Sequence, residues 1–277
     1  MAKFDWSIQD DPLQAHQDLS SSTPFGPAFN APGEPSDLVL VARDRAQFHA
    51  HRRRLLHASA NAWGGLLSGA PDPRPIDVPE DSTTLGIAIR TVYGLSCEQL
   101  APSLEAIESA LNALIKYGVA LQPLAMRNLP LYQLIYAHAR YRPIETYALA
   151  AHFRLEPLAV AASAHLLAFD TSTISDELAI QMGPIYLKRL FGLHDVRRAA
   201  LKAIVLRPPT MHTPTLLCAS EGQGMLMAGW AFAAAEIAWD PVLRECFILA
   251  VFSSRTGSDV SCFCCCVIRT RYVRVCA

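Results

Sequence analysis

The chain has 277 residues, of which 51% are hydrophobic and 18% are charged, enough apolar material for one large domain or two ordinary ones. This composition excludes intrinsic disorder of the whole chain. The formal net charge of −1 gives no overall attraction to nucleic acid or to an anionic membrane, and neither is expected as a partner. Because neither a secretory signal nor an apolar run of about 20 residues is present, we expect an intracellular protein, cytoplasmic or nuclear.

The first 35 residues are predicted to form a disordered tail. Prolines interrupt the segment repeatedly, and no apolar period is sustained in it. Phe4 and Trp6 are either a small partner-binding motif or part of an inert leader.

Three short strands are predicted at the start of the folded part. The continuous apolar run Leu38–Val41 is typical of a strand covered on both faces. A second strand is expected over Ala46–His51, after a tight connection at Asp44-Arg45. The third strand is Ile76–Val78, which Pro79 ends.

Serine residues mark the starts of the predicted helices. Ser59 is a natural N-cap for a helix that carries Trp63, Leu66 and Leu67. Ser82 is placed to cap a second helix, which Gly94 closes.

The clearest helical periodicity follows Ser103, which is the predicted N-cap, and ends before Gly118, the predicted residue after the last turn. The apolar residues that share one stripe are Leu104, Ile107, Leu111, Leu114 and Ile115. Further helices are predicted at about 121–128, 131–139, 144–153, 157–168, 175–182, 184–192, 194–205 and 223–238. Such a series favours helices packed on helices.

Three sequence blocks carry a family resemblance. The first is Asp37-Leu38-Val39-Leu40 followed by Phe48-x-x-His51-Arg52-x-x-Leu55-x-x-x-Ser59. The second is Ile76-Asp77-Val78-Pro79-Glu80-Asp81-Ser82-x-x-Leu85 with Tyr93, and the third is Tyr147-Ala148-Leu149-Ala150-Ala151-His152-Phe153-x-Leu155-Glu156. In this order and spacing they resemble the BTB/POZ domain and helical extension of fungal, basidiomycete-type proteins.

The resemblance implies an α+β fold, in which a BTB/POZ domain with a short three-stranded sheet capped by helices precedes an all-α helical extension. Together with the composition of the two ends, the resemblance, which covers about residues 36–205, divides the chain into five parts: a disordered tail at 1–35, the BTB/POZ domain at 36–128, the helical extension at 129–206, a helical C-terminal segment at 207–252 and an unstructured Cys-rich tail at 253–277. Asn61 and Ala62 depart from the family, which usually places two aromatic residues there. Trp63 stands one residue later than those aromatic positions. Either Trp63 fills the space of the missing aromatic side chain, or this domain is less stable than its relatives.

The function implied by the resemblance is a protein–protein interaction module that forms homodimers and recruits partner proteins, without catalysis and without a cofactor. The candidate interface residues, which are also plausible core positions, are Asp37, Leu38, Leu40, His51, Arg52, Leu55 and Leu56. The alternative is a substrate adaptor of a cullin-type ubiquitin ligase, in which Ser96-Cys97-Glu98 stands near the family's cullin-binding motif. That motif has an apolar residue two positions before a glutamate. Here Leu95 lies three positions before Glu98, one position too early to match.

Other chemistries are weaker interpretations of the sequence. Five of the eight cysteines lie within 262–276. Zinc binding and palmitoylation are two possible interpretations of this cluster, and the third is a poorly structured, aberrant end of the gene product. His49, His51 and His57 are more consistent with structural roles than with a metal site, and Arg52-Arg53-Arg54 with a solvated face than with nucleic-acid binding. Since no catalytic motif is present, an enzyme on a helical fold is disfavoured; a product without function is the remaining alternative.

Overall fold

The structure is a computed structural model and describes residues 25–26, 30–31, 34–70, 72–211, 213–214 and 220–239. Two predictions fall outside the described residues: the aromatic motif of Phe4 and Trp6, and the Cys-rich tail at 253–277. The described part of the predicted segment 207–252 contains one helix.

A small three-stranded sheet lies at the centre of the N-terminal half. Strands β1 (Asn30–Ala31) and β2 (Glu34–Pro35) form a separate antiparallel pair. In the main sheet β3 (Leu38–Val41) is central, with β4 (Gln47–Ala50) antiparallel on one side and β5 (Ile76–Asp77) parallel on the other. The three predicted strands are confirmed, and so is the coarse α+β class with a short sheet and mostly helices.

Helices account for most of the remaining described chain. They are α1 (Arg52–Ala58), α2 (Ser82–Tyr93), α3 (Leu104–Lys116), α4 (Leu121–Leu124), α5 (Pro130–His138), α6 (Pro143–His152), α7 (Glu156–Ser163), α8 (Asp176–Val205) and α9 (Ser220–Trp239). Gly183 interrupts α8 with a φ of 71°, where the sequence predicted a break between two helices. The helices predicted at 184–192 and 194–205 are one continuous helix. None of the described helices combines the length and apolar character needed to cross a membrane.

Capping residues explain where α2 and α3 begin and end. The Ser103 hydroxyl accepts from the Ala106 N–H at 3.2 Å, so its predicted capping role is confirmed. For α2 the predicted cap Ser82 is wrong by one residue, because the Asp81 carboxylate accepts from the Thr84 N–H at 2.8 Å. Gly94 ends α2 in the left-handed conformation at a φ of 67°, as predicted.

The helix predicted after Ser59 is absent. Residues 60–67 instead form a series of turns, and Ser59 stands at the C-terminal end of α1. Ala62 and Trp63, and then Gly64 and Gly65, all have positive φ values, which are incompatible with a right-handed helix.

In the part of the chain that contains the three-stranded sheet, the sheet, α2 and α3 each turn one apolar face inward, and these faces form the core. Leu104, Ile107, Leu111 and Leu114 are buried as predicted, but Ile115 at the edge of the stripe is 52% exposed. Phe25 is fully buried, and β1 and β2 also lie within the segment predicted as a disordered tail, so this part of the prediction differs from the structure.

The chain divides into two compact units. Of the described residues, those within 25–166 and 177–183 belong to the first unit, and those within 167–176 and 184–239 belong to the second. In the second unit, Val205 and Ala234 are buried, and the Trp230 indole N–H donates to the Val205 carbonyl at 2.9 Å. The predicted domain border between residues 128 and 129 lies inside the first unit, and the predicted boundaries stay predictions.

Candidate protein-interaction surface

Helix α1 is capped by the residue that precedes the central strand. The Asp37 carboxylate accepts from the Arg52 backbone N–H at 2.7 Å, whereas the side chain of His51, the N-cap residue by position, makes no capping hydrogen bond. A carboxylate at a helix N-terminus satisfies an open N–H and complements the helix dipole, for about 1 kcal/mol. Asp37 is therefore exposed but engaged within its own chain.

The entry to α1 is also fixed by Tyr93 at the end of α2. The His51 backbone N–H donates to the Tyr93 hydroxyl at 2.8 Å, and His51 Nδ1 lies 2.9 Å from the same oxygen. Burial raises the pKa of Tyr93, so the hydroxyl keeps its proton. The Arg54 guanidinium lies over the Tyr93 ring, 5.2 Å from its centroid.

Arg52 binds the turn segment that follows α1. Its Nη2 donates to the Leu67 carbonyl at 2.6 Å and to the Gly69 carbonyl at 2.5 Å. Bonds from a charged donor are stronger than neutral ones, so Arg52 holds residues 60–70 against α1. We call α1 together with residues 60–70 the α1–turn surface.

The turn segment is bound at its other side to the end of α3. The Ser59 hydroxyl donates to the Tyr117 carbonyl at 2.6 Å and accepts from the Trp63 N–H at 2.7 Å. The Asn61 side chain donates to the Lys116 carbonyl at 3.0 Å. These long-range bonds satisfy the carbonyls that a helix C-terminus leaves open, which explains why Ser59 forms turns here instead of starting a helix.

Trp63 is the largest side chain buried under this surface. It is fully buried, and its ring stacks on Tyr117 with 4.6 Å between centroids and an angle of 4°. The Tyr117 hydroxyl donates to Glu80, which also accepts from Lys116 at 2.7 Å. Although burial opposes ionisation of Glu80, these two hydrogen bonds hold its pKa below the usual value.

Four of the seven candidate interface residues lie in the core of the chain. Leu38, Leu40, His51 and Leu55 are all buried, so in this conformation they can support a contact but cannot form it. Asp37 and Arg52 make the internal hydrogen bonds described above. Leu56 alone among the seven is a partly exposed apolar residue, and Leu66 on the adjacent turns, which was not among the candidates, is 38% exposed.

The described residues contain no group of three His, Cys, Asp or Glu side chains arranged to hold a metal ion, so His49, His51 and His57 do not form such a site. Burial raises the pKa of the Cys97 thiol to about 11, which keeps it protonated and unreactive. An open cavity of about 360 Å³ lies beside Arg43, Glu80 and Ser109, where Lys116 already neutralises the acid.

No family model matches the sequence, and no curated protein matches it. The family resemblance drawn from the three sequence blocks therefore stays a prediction. What the protein does has to be argued from the geometry of the α1–turn surface and its neighbours.

Proposed function

We propose that this protein is an interaction module that self-associates through a BTB/POZ-type domain and recruits partner proteins. Support comes from the order of elements: an antiparallel hairpin, a short helix, turns, a third strand parallel to the first, and two longer helices. The resemblance implies the same order, except that it predicts a helix where the structure has the turns at 60–67.

The proposal depends on the contacts that hold α1 in a fixed position. Asp37 and His51 fix its start, Arg52 fastens the turns to it, and within the helix Leu55 is the one buried residue. The fixed helix carries the partly exposed Leu56, and the turns that follow it carry the exposed Leu66, so both elements offer apolar surface to a partner. In a two-fold contact the same patch is buried on both copies, which suits a short self-complementary surface.

Replacing Leu56 with aspartate should convert the dimer to a monomer. Each contact then loses two buried leucines, at about 1.5–3 kcal/mol each, so the dissociation constant should rise by about 100-fold or more. Light scattering on the full chain should give about twice 30.3 kDa for the wild type and 30.3 kDa for Leu56→Asp at the same concentration.

The matched control is Val160→Asp, which places the same charge on an exposed apolar residue of α7 and should leave the mass unchanged. Circular dichroism confirms that both variants are folded. A monomeric wild type, or a Leu56→Asp variant that stays dimeric, rules out self-association through the α1–turn surface.

A second candidate function is that of a substrate adaptor for a cullin-type ubiquitin ligase. Glu98 is exposed on the turn Glu98–Leu100, and Leu100 beside it is 39% exposed, whereas Cys97 is buried and cannot contact a partner. We expect saturable micromolar binding to a purified cullin N-terminal region, weakened at least tenfold by Glu98→Lys. Glu145→Lys, on α6, is the charge-matched control. If a well-folded dimer does not bind, the adaptor function is excluded and the assembly function is left.

A further inference from the structure

The second half of helix α8 concentrates positive charge. Residues 184–207 contain six of the chain's 24 Lys and Arg residues and a single acid, Asp195. The formal net charge of −1 therefore averages a basic helix with an acidic remainder. Because attraction to an anionic partner depends on the local charge of a surface, this helix has to be considered apart from the net charge of the chain.

Most of these cations reach solvent, and several have no acidic partner. Lys202 is half-buried, and the exposed ones are Lys188, Arg189, Arg197, Arg198 and Arg207. Arg198 pairs with Asp195. Within the described ranges of the chain, no acidic side chain forms an ion pair with Lys188, Arg197 or Lys202. Their charges are therefore available to an external anion.

Two large apolar side chains are exposed on the same side of the helix. Ile185 is 64% exposed and Val196 is 69% exposed. At 3.6 residues per turn, positions 185, 189 and 196 fall on one side, so Arg189 stands between the two apolar side chains. Val205 lies on the opposite side, where it packs with Trp230 of α9. The packing of α9 therefore leaves Ile185 and Val196 in contact with solvent.

We propose that this side of α8 binds the surface of an anionic lipid bilayer. We call it the α8 basic face, and it consists of Ile185, Lys188, Arg189, Val196 and Lys202. The cations contact the anionic headgroups, while the two apolar side chains enter the boundary between headgroups and acyl chains. Since none of the described helices can cross a membrane, α8 lies along the bilayer surface. The proposal is independent of self-association through the α1–turn surface.

The mixture of side chains on the α8 basic face favours a bilayer over other anions. A nucleic acid offers phosphates to the cations, but it holds protein side chains by hydrogen bonds and aromatic stacking, which Ile185 and Val196 cannot supply. An acidic protein would need a fitted pocket for each of the two apolar side chains. A bilayer offers anionic headgroups and apolar chains next to each other and requires no fixed geometry.

The test is co-sedimentation of the full chain with vesicles. Vesicles of phosphatidylcholine with about 30% phosphatidylserine should bind the chain, and vesicles of phosphatidylcholine alone should not. Binding should weaken at least about tenfold when the ionic strength rises from about 0.1 M to about 1 M, because the screening length falls from about 10 Å to about 3 Å.

Charge variants locate the binding on the α8 basic face. Lys188→Gln/Lys202→Gln should weaken binding by about 30-fold, since one lysine near such a surface changes the binding constant about fivefold. The matched control is Arg127→Gln/Arg140→Gln, which removes the same charge from exposed positions outside α8 and should bind as the wild type does.

Apolar variants separate a bilayer from other anions. Ile185→Ser/Val196→Ser should weaken vesicle binding at least about tenfold, because the variant has less apolar surface to bury. Ile115→Ser/Val160→Ser, at exposed positions on α3 and α7, should leave it unchanged. Circular dichroism confirms that all variants are folded.

Three results overturn the proposal. The first is a folded chain that binds neither kind of vesicle, and the second is equal binding to both kinds. The third is binding that Ile185→Ser/Val196→Ser leaves unchanged, since charge alone would then hold the anion, as it would an acidic protein or a nucleic acid.

Discussion

Replacing Trp63 with alanine should lower the free energy of unfolding by about 3–5 kcal/mol, because a fully buried tryptophan leaves a large cavity. The loss includes the stacking on Tyr117, worth about 0.5–1.5 kcal/mol beyond the buried area. Since Trp63 holds the turns that carry Leu66, the proposed dimer should weaken as well. Urea unfolding followed by circular dichroism measures the first effect, and light scattering measures the second.

Trp63→Phe is the matched control for this experiment. Within the described residues the indole N–H of Trp63 is buried without a hydrogen-bond partner, so phenylalanine removes volume but no hydrogen bond. The cavity left by phenylalanine is smaller than that left by alanine, so the loss should be well below about 3–5 kcal/mol, and the smaller ring can still stack on Tyr117. If Trp63→Ala were as stable as Trp63→Phe, the turns would be held by their hydrogen bonds alone.

Elements whose ends are set by local chemistry could be predicted from the sequence. Ser103 and Gly118 bracket α3, and Gly94 ends α2, because caps and left-handed glycines act within a few residues of themselves. The helix predicted after Ser59 is wrong for the opposite reason. The Ser59 hydroxyl is bound to the Tyr117 carbonyl, 58 positions away, and a local pattern does not contain that contact.

The sequence pointed to the region of the candidate surface, but it did not show which of its residues are buried, which cap α1 and which are exposed. The block from Asp37 to Leu56 is where α1 is mounted, yet apolar pattern alone does not separate the buried Leu55 from the partly exposed Leu56. The role of Asp37 as a cap depends on a hydrogen bond between residues 15 positions apart. Phe25 was missed because one aromatic residue among prolines has no period to mark it.

Replacing Gly118 with alanine should destabilise the protein by about 2–5 kcal/mol. Gly118 has a φ of 73°, where a Cβ costs about 1–2 kcal/mol, and overpacking adds about 1–3 kcal/mol. The added Cβ would lie 2.5 Å from Asn61 Oδ1 and 2.9 Å from the Asn61 backbone nitrogen. Because the nitrogen belongs to the main chain of the turns, the clash cannot be relieved by rotating the Asn61 side chain alone.

Gly65→Ala separates the two causes. Gly65 has a φ of 84° and lies in the same turns, but a Cβ there would meet nothing within 4 Å. Gly65→Ala should therefore lose only the stability that a Cβ in the left-handed conformation costs. In urea unfolding, the free energy of unfolding of Gly118→Ala should be at least about 1 kcal/mol lower than that of Gly65→Ala. Equal losses in the two variants would mean that the turns move away from α3 at little cost. The close approach of Asn61 to Gly118 would then not be what positions the α1–turn surface.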